Sequence, residues 1–132
     1  MKEETKILII DDDPDYVDGT RMILENASYK VETALSADIA MKKLDKEIPD
    51  LILLDILMPK GADGILLSRK LKQDDRLSKV PIIMITSIKE QTGFEFITDD
   101  PRHPKFLPVE VFLEKPVPAE ELIAKIESLL SK

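Results

Sequence analysis

Three consecutive aspartates, Asp11, Asp12 and Asp13, directly follow an apolar run at residues 7–10. Such a run predicts a strand that is buried on both faces of a sheet. Carboxylates crowded at the end of a buried strand repel one another unless a positive charge neutralises them. A hard divalent cation, which takes oxygen ligands, is the simplest source of that charge. Asp13 has another explanation, because an aspartate before Pro14 is typical of a helix N-cap. Asp11 and Asp12 therefore remain as candidate metal ligands.

Three more polar residues stand where other predicted strands end. They are Asp55 after the apolar run 51–54, Thr86 after 80–85, and Lys115 after 111–114. Parallel strands bring their carboxyl ends to one edge of a sheet, so we expect three carboxylates, a hydroxyl and an ammonium group to share a shallow pocket there. The charge of that pocket is about −2 at the usual pKa values of these groups. A bound Mg2+ would offset this charge.

The elements that must position these residues alternate along the chain. Predicted strands lie at 6–11, 29–35, 51–55, 80–85 and 111–114, and predicted helices at 14–26, 36–46, 63–74 and 118–130. A short helix at 89–96 and a proline-rich loop at 99–108 are also expected. This alternation predicts an α/β fold, a parallel sheet with helices on both faces. In such sheets the site lies at the carboxyl ends of the strands, near the point where strand order reverses.

Composition narrows the class of protein further. The 132 residues are 43% hydrophobic and 34% charged, which predicts one soluble globular domain over 1–132 with no room for an output domain. Cysteine is absent, so thiolate metal sites and disulfides are excluded. No stretch is typical of a signal peptide or a membrane span, and we expect a cytoplasmic protein with no membrane partner. The net charge of −7 argues against direct nucleic-acid binding.

Five short motifs, in this order, carry a resemblance that covers the whole chain. They are Ile10-Asp11-Asp12, Leu54-Asp55-Ile56-Leu57-Met58-Pro59, Asp63-Gly64, Ile85-Thr86-Ser87 and Lys115-Pro116. Together they resemble the receiver (CheY-like) domain of two-component response regulators. The resemblance implies a doubly wound five-stranded parallel sheet of flavodoxin-like order 2-1-3-4-5. It also implies a phosphoacceptor switch rather than an enzyme, one that catalyses only its own phosphoryl transfer and slow dephosphorylation.

The resemblance also assigns the phosphoacceptor and the metal ligands. Asp55 would accept a phosphoryl group from a phosphohistidine on a sensor histidine kinase or a phosphotransfer protein. Asp12 would bind Mg2+ directly and Asp11 through water. Asp55 and the backbone carbonyl of Leu57 would complete the protein ligands.

The same resemblance assigns the switch residues. Thr86 would hydrogen-bond a phosphoryl oxygen and Lys115 would pair with the phosphoryl group. Phe112 would be the aromatic residue that turns inward when Thr86 shifts. A protein-binding face would change as a result, in a monomer or a phosphorylation-dependent dimer, and the downstream target stays unknown.

The chain departs from the family in two places. The loop at 59–64 has one residue more than usual between the proline and Asp63-Gly64, and the stretch between Thr86 and Lys115 is several residues longer. The excess is expected at 91–108, so the partner surface there should be non-standard. His103 lies in this stretch and is expected to be a solvated loop histidine, since neither a cysteine nor a second histidine exists to share a metal.

Three other interpretations have sequence features behind them. A phosphohydrolase of the haloacid-dehalogenase type would use Asp11 as nucleophile, since Asp11-x-Asp13 matches its signature. Against it, Pro14-Asp15 replaces the expected continuation and no acidic pair follows Lys115 at a strand end. A calcium loop starting at Asp11 lacks the required glycine and glutamate. A degenerate receiver that only binds partners would not need the complete set of acids, hydroxyl and lysine.

Overall fold

Five strands and four helices make up the part of the chain that the computed structural model describes, residues 5–55, 63–86, 111–115 and 117–131. Residues 63–66, 86, 112 and 114 are described by their backbone alone. The strands are β1 (Lys6–Ile10), β2 (Lys30–Ala34), β3 (Leu51–Asp55), β4 (Ile82–Thr86) and β5 (Val111–Glu114). The helices are α1 (Pro14–Asn26), α2 (Ala37–Lys46), α3 (Asp63–Gln73) and α4 (Ala119–Leu130). The predicted helix at 89–96 and loop at 99–108 lie outside the described residues.

The strands form one sheet in the order β2-β1-β3-β4-β5, and every neighbouring pair is parallel. This confirms the predicted fold class and strand order. The order reverses between β1 and β3, because the chain builds outward from β1 in one direction and from β3 in the other. Doubly wound sheets bind their ligands in the crevice at such a reversal. The carboxyl ends of β1 and β3 are therefore the place to look for a site.

Alternation along the strands divides the core into two layers. Leu8 and Ile10 pack into one layer with residues of α2 and α3, whereas Ile7 and Ile9 pack into the other with residues of α1 and α4. All five residues of β3 are buried, as expected for a central strand covered on both faces. Burying one such side chain contributes about 1.5–3 kcal/mol. The two layers therefore anchor β1 and β3, the strands whose carboxyl ends carry Asp11 and Asp55.

The N-cap of α1 is the predicted Asp13, and α2 has a serine N-cap. Asp13 is the N-cap of α1, and its Oδ1 accepts from the backbone N–H groups of Asp15 at 3.1 Å and Tyr16 at 3.4 Å. Ser36 is the N-cap of α2, and its Oγ accepts from the N–H of Ile39 at 3.2 Å. Both side chains satisfy first-turn donors that have no partner inside the helix.

Strand β4 begins at Ile82, two residues later than the predicted start at residue 80. Pro81 explains the difference, because proline has no N–H to donate to a neighbouring strand. Its carbonyl still accepts from the N–H of Ile52 at 3.0 Å, so β3 is held against the residue that precedes β4. Val80 belongs to the preceding turn, where its N–H donates to the Leu77 carbonyl at 3.0 Å.

Helix α1 ends in a Schellman motif built on a serine. Ser28 has a φ of 73°, and among the described residues it is the non-glycine residue with positive φ. Its N–H donates to the Glu25 carbonyl at 3.0 Å, and the N–H of Tyr29 donates to the Leu24 carbonyl at 3.1 Å. These are the two hydrogen bonds of the motif, whose left-handed position usually holds glycine.

Replacing Ser28 with glycine should therefore stabilise the fold. A left-handed conformation costs an L-residue about 1–2 kcal/mol, and glycine avoids this cost in the folded state. Part of that advantage is offset because an unfolded chain with glycine has more conformational freedom to lose on folding. We expect the free energy of unfolding in urea to rise by about 0.5–1 kcal/mol. Ala27→Gly is the matched control, since Ala27 has a φ of −90° and should gain nothing. Equal gains in both variants would contradict the prediction.

Candidate functional site

Asp11 and Asp55 lie side by side at the carboxyl ends of neighbouring strands. Ile10, the last residue of β1, pairs with Leu54 of β3, and the residue that follows each of them is an aspartate. Asp11 is also bonded to β2, the other neighbour of β1, because its N–H donates to the Ala34 carbonyl at 3.1 Å. The two aspartates are only 2% and 6% exposed. Adjacent carboxylates buried to this extent need a compensating cation.

Asp12 completes a group of three carboxylates. One carboxylate oxygen from each of Asp11, Asp12 and Asp55 lies within 4.8 Å of the others. Asp12 is the most accessible of the three, whereas Asp11 and Asp55 are buried. Asp13 does not belong to this group, because its carboxylate caps α1 while its N–H donates to Asp11 Oδ1 at 3.0 Å. The aspartate run is thus divided between a cluster of carboxylates at the strand ends and a helix cap.

Lys115 reaches this group from β5, on the other side of β4. Its Nζ donates to Asp11 Oδ2 at 3.0 Å and lies 3.8 Å from Asp55 Oδ2. Burial by itself would lower the pKa of Lys115, but the hydrogen bond to Asp11 and the charges of Asp11 and Asp55 outweigh it and raise the pKa above its usual value. Lys115 is therefore an ammonium group throughout the neutral range, and it supplies the positive charge that the buried carboxylates need.

Tyr16 is a member of the pocket that sequence reasoning missed. Its ring centroid lies 4.1 Å from Lys115 Nζ, a cation–π contact. Burial raises the pKa of the Tyr16 hydroxyl, and a hydrogen bond with the Thr20 side chain opposes that rise. The available signal was weak: Tyr16 falls in the first turn of a helix that begins beside the aspartates. Only the packed structure shows that the ring turns toward the lysine of a distant strand.

Several predicted roles fall on parts of the chain that the structure does not describe in full. Leu57 and His103 lie outside the described residues. The backbone places Thr86 at the end of β4, opposite Glu114, and Phe112 opposite Met84 in β5. The predicted roles of the Thr86 and Phe112 side chains lie outside what is described.

The pocket suits a hard divalent cation. All three candidate ligands offer carboxylate oxygen, two are held by buried strand ends, and the third is accessible to water. Mg2+ keeps several waters and needs few protein ligands, which matches this incomplete ring of oxygens. Lys115 already offsets one carboxylate, so an added dication would bring the group of four charges close to balance.

The fold and the acidic pocket together define a receiver-type α/β protein. A family model described as the response regulator receiver domain matches residues 7–127. The chain belongs to this family, whose members are the phosphoacceptors of two-component signalling and bind Mg2+ through an acidic pocket. Receiver domains of response regulators are generally not classical enzymes, and they interact with histidine kinases or phosphotransfer proteins.

Curated relatives agree with this family. The DNA-binding dual master transcriptional regulator RpaA of Synechocystis is 33% identical over 131 residues, covering 96% of this chain and 49% of RpaA. The transcriptional regulatory protein ResD of Bacillus subtilis is 35% identical over 133 residues, covering 98% of this chain and 49% of ResD. The chain thus spans about half the length of these relatives.

Solved structures agree as well. A sensor protein from Polaromonas superposes with a TM-score of 0.80 at 26% identity, over 96% of this chain and 95% of that chain. The signal receiver domain of a signal transduction histidine kinase from Syntrophus aciditrophicus gives a TM-score of 0.76 at 30% identity, over 96% and 90%.

The same observations weigh against the phosphohydrolase interpretation. That alternative needs Asp13 beside Asp11 in the pocket, but the Asp13 carboxylate is engaged with the N–H groups that open α1. The receiver family model also covers the elements that carry Asp11, Asp55 and Lys115.

As for membranes, among the described residues no helix is both long and apolar enough to cross a bilayer.

Proposed function

We propose that Asp55 is the phosphoacceptor of this receiver domain, and that it takes a phosphoryl group from a phosphohistidine in a Mg2+-dependent transfer. One observation carries the proposal: the buried Asp55 carboxylate shares a single pocket with Asp11, Asp12 and the Lys115 ammonium. Among the three acids, Asp55 is the one that ends the central strand β3. The donor is a sensor histidine kinase or a phosphotransfer protein.

The transfer requires a nucleophile that is already ionised and aimed. A carboxylate oxygen of Asp55 attacks phosphorus, a P–O bond forms as the P–N bond of the phosphohistidine breaks, and the imidazole leaves with the bonding electron pair and takes up a proton. Because this chemistry asks mostly for positioning and charge neutralisation, a pocket with fixed charges is sufficient. The buried end of β3 keeps Asp55 in one place throughout.

Mg2+ would be held by Asp11, Asp12, Asp55 and the backbone carbonyl of Leu57, and when bound it neutralises charge on the phosphoryl oxygens. Lys115 would turn from Asp11 toward the phosphoryl group, since its Nζ already lies 3.8 Å from Asp55 Oδ2. The chain's own catalysis is limited to this transfer and to slow loss of the phosphoryl group.

The signal would leave the pocket through β4 and β5. We propose that Thr86 hydrogen-bonds a phosphoryl oxygen and that Phe112 turns inward as Thr86 shifts. The register supports this coupling, because Thr86 ends β4 and Phe112, on the paired strand β5, lies opposite Met84, two residues before Thr86. The result would be a changed protein-binding face.

The chain would work in the cytoplasm as one receiver domain that acts through protein contact, as a monomer or a phosphorylation-dependent dimer. Its net charge of −7 disfavours direct contact with nucleic acid, although relatives such as RpaA are described as DNA-binding. The target is thus expected to be a protein.

Acetyl phosphate tests the proposed function without a cognate kinase. With Mg2+, intact-protein mass spectrometry should show one phosphoryl group added per chain, and with EDTA in place of Mg2+ it should show none, because the three carboxylates then repel the incoming phosphoryl oxygens. Denaturation at alkaline pH should release the label, as expected for an acyl phosphate. Absence of Mg2+-dependent labelling would favour the degenerate receiver, a domain that only binds partners.

A further inference from the structure

We propose that Tyr16 is a positioning residue for Lys115, and through it for the phosphoryl group on Asp55. The geometry points to this role because the Tyr16 ring, on α1, lies under the ammonium group of a lysine from the opposite end of the chain. The inference rests on the proposed function of Asp55 and Lys115. It adds a residue that sequence motifs do not contain.

The ammonium of Lys115 faces three attractive groups. Its Nζ lies 3.0 Å from Asp11 Oδ2, 3.8 Å from Asp55 Oδ2 and 4.1 Å from the Tyr16 ring centroid. A ring face at this distance attracts a cation, and the attraction grows when water is excluded. The Lys115 side chain is only 21% exposed, so the contact is largely desolvated.

Asp11 is a poor permanent anchor for Lys115, because Asp11 is also a candidate metal ligand. Once a dication neutralises Asp11, the carboxylate attracts the lysine less strongly. The tyrosine ring offers no oxygen ligand at its face, so its attraction for the ammonium persists. The ring therefore matters most in the metal-loaded state, where it keeps Lys115 directed at Asp55.

The ring is itself held in place from two sides. The Tyr16 side chain shares a hydrogen bond with Thr20, which is buried one turn further along α1. The ring also packs against the core layer that contains Ile7, Ile9 and Val17. The backbone N–H of Tyr16 donates to Asp13 Oδ1, the N-cap oxygen of α1. Because these contacts do not involve Lys115, the ring is available as a fixed platform whether or not metal is bound.

Two substitutions distinguish the effect of the aromatic face of Tyr16 from the effects of its hydroxyl and its packing in the core. Tyr16→Leu keeps an apolar side chain in the core but removes the aromatic face. Tyr16→Phe keeps the face and removes only the hydroxyl that bonds Thr20. Tyr29→Leu is the matched control, since the other tyrosine of the chain precedes β2 and packs on the same core layer away from Lys115.

The first measurement is the rate of labelling by acetyl phosphate at saturating Mg2+. We expect Tyr16→Leu to lower this rate roughly fivefold to tenfold, the effect of losing one desolvated cation–π contact. Tyr16→Phe and Tyr29→Leu should stay within about twofold of wild type. The Mg2+ concentration for half-maximal labelling should not change in any variant, because Asp11, Asp12 and Asp55 are untouched.

The second measurement does not depend on phosphorylation. The ε-methylene signals of Lys115 should be shifted upfield by the ring current of Tyr16 in wild type and in Tyr16→Phe. They should return to ordinary lysine positions in Tyr16→Leu. If Tyr16→Leu does not fold, as judged by its thermal transition, Tyr16→Met takes its place with the same expected result.

Three results would overturn the inference: wild-type labelling rates in Tyr16→Leu, an equal loss in Tyr16→Phe, or ordinary Lys115 shifts in wild type. A wild-type protein that takes no label would refute the proposed function instead, and the ring-current shift would then still decide whether Tyr16 holds Lys115.

Discussion

Asp55→Asn should abolish phosphorylation by acetyl phosphate. Asparagine has nearly the same shape, so the pocket is preserved, but its amide oxygen is a poor nucleophile and cannot form an acyl phosphate. Asp11 and Asp12 remain available for a cation in this variant. Intact-protein mass spectrometry with Mg2+ should therefore show full labelling of wild type and no labelling of Asp55→Asn.

Asp38→Asn is the matched control, since Asp38 is an exposed aspartate in the first turn of α2. It should be labelled at the wild-type rate. Asp11→Asn should be labelled more slowly, because it loses a candidate metal ligand, and its label should still map to Asp55. Label on Asp11 in the Asp55→Asn protein would contradict the receiver assignment and would favour the phosphohydrolase interpretation, in which Asp11 is the nucleophile.

Asp55→Asn should also stabilise the fold when no metal is present. The variant removes one of two adjacent buried carboxylates, which repel each other and share one lysine. We expect the free energy of unfolding in EDTA to rise by about 1 kcal/mol. The loss of function and this gain in stability have the same origin, since an ionised nucleophile must be kept in a buried place.

Lys115→Met should have the largest effect on stability. Removing one partner of a buried ion pair costs about 3–5 kcal/mol, and the partial exposure of Lys115 reduces this to about 2 kcal/mol here. Two buried carboxylates, Asp11 and Asp55, lose their cation. Urea unfolding in EDTA should show this loss, and Mg2+ should restore most of it because the dication replaces the missing charge.

Lys43→Met serves as the control for Lys115→Met. Lys43 pairs with Glu32 at 3.2 Å on the surface, where an ion pair contributes less than about 1 kcal/mol. Its stability should not respond to Mg2+. If Mg2+ did not reduce the difference in the free energy of unfolding between wild type and Lys115→Met, the cation would not be binding beside Asp11 and Asp55.

The difference in the free energy of unfolding between wild type and Lys115→Met should depend on pH in a definite direction. Burial would lower the pKa of Lys115, but the hydrogen bond to Asp11 and the nearby carboxylates raise it above its usual value of 10.5. A group with a raised folded-state pKa stabilises fully below its unfolded-state pKa and stops doing so as pH rises through the folded-state pKa. The difference between wild type and Lys115→Met should therefore be constant near neutrality and shrink above about pH 10.5.

Local patterns were enough to predict the elements and most of the pocket. Apolar runs that end in aspartate or lysine marked β1, β3 and β5, and all three strands pair as predicted. The Asp13-Pro14 step predicted the start of α1, because cap chemistry depends on neighbours a few residues away. The Ser28 conformation was not predictable in the same way, since nothing in Ala27-Ser28-Tyr29 signals a left-handed residue.

The sequence by itself determined that Asp11, Asp12, Asp55 and Lys115 stand at the ends of strands, because apolar runs are short-range patterns. Parallel strands bring such ends to one edge of a sheet, whereas the strand order was implied by the resemblance to the receiver family. Only the tertiary structure decided which charges touch. Lys115 lies nearer to Asp11 than to Asp55, and it rests on Tyr16. Those contacts join α1 to β5 across 99 residues of chain, the interval from Tyr16 to Lys115. They depend on side-chain packing between the layers, which no local sequence pattern encodes.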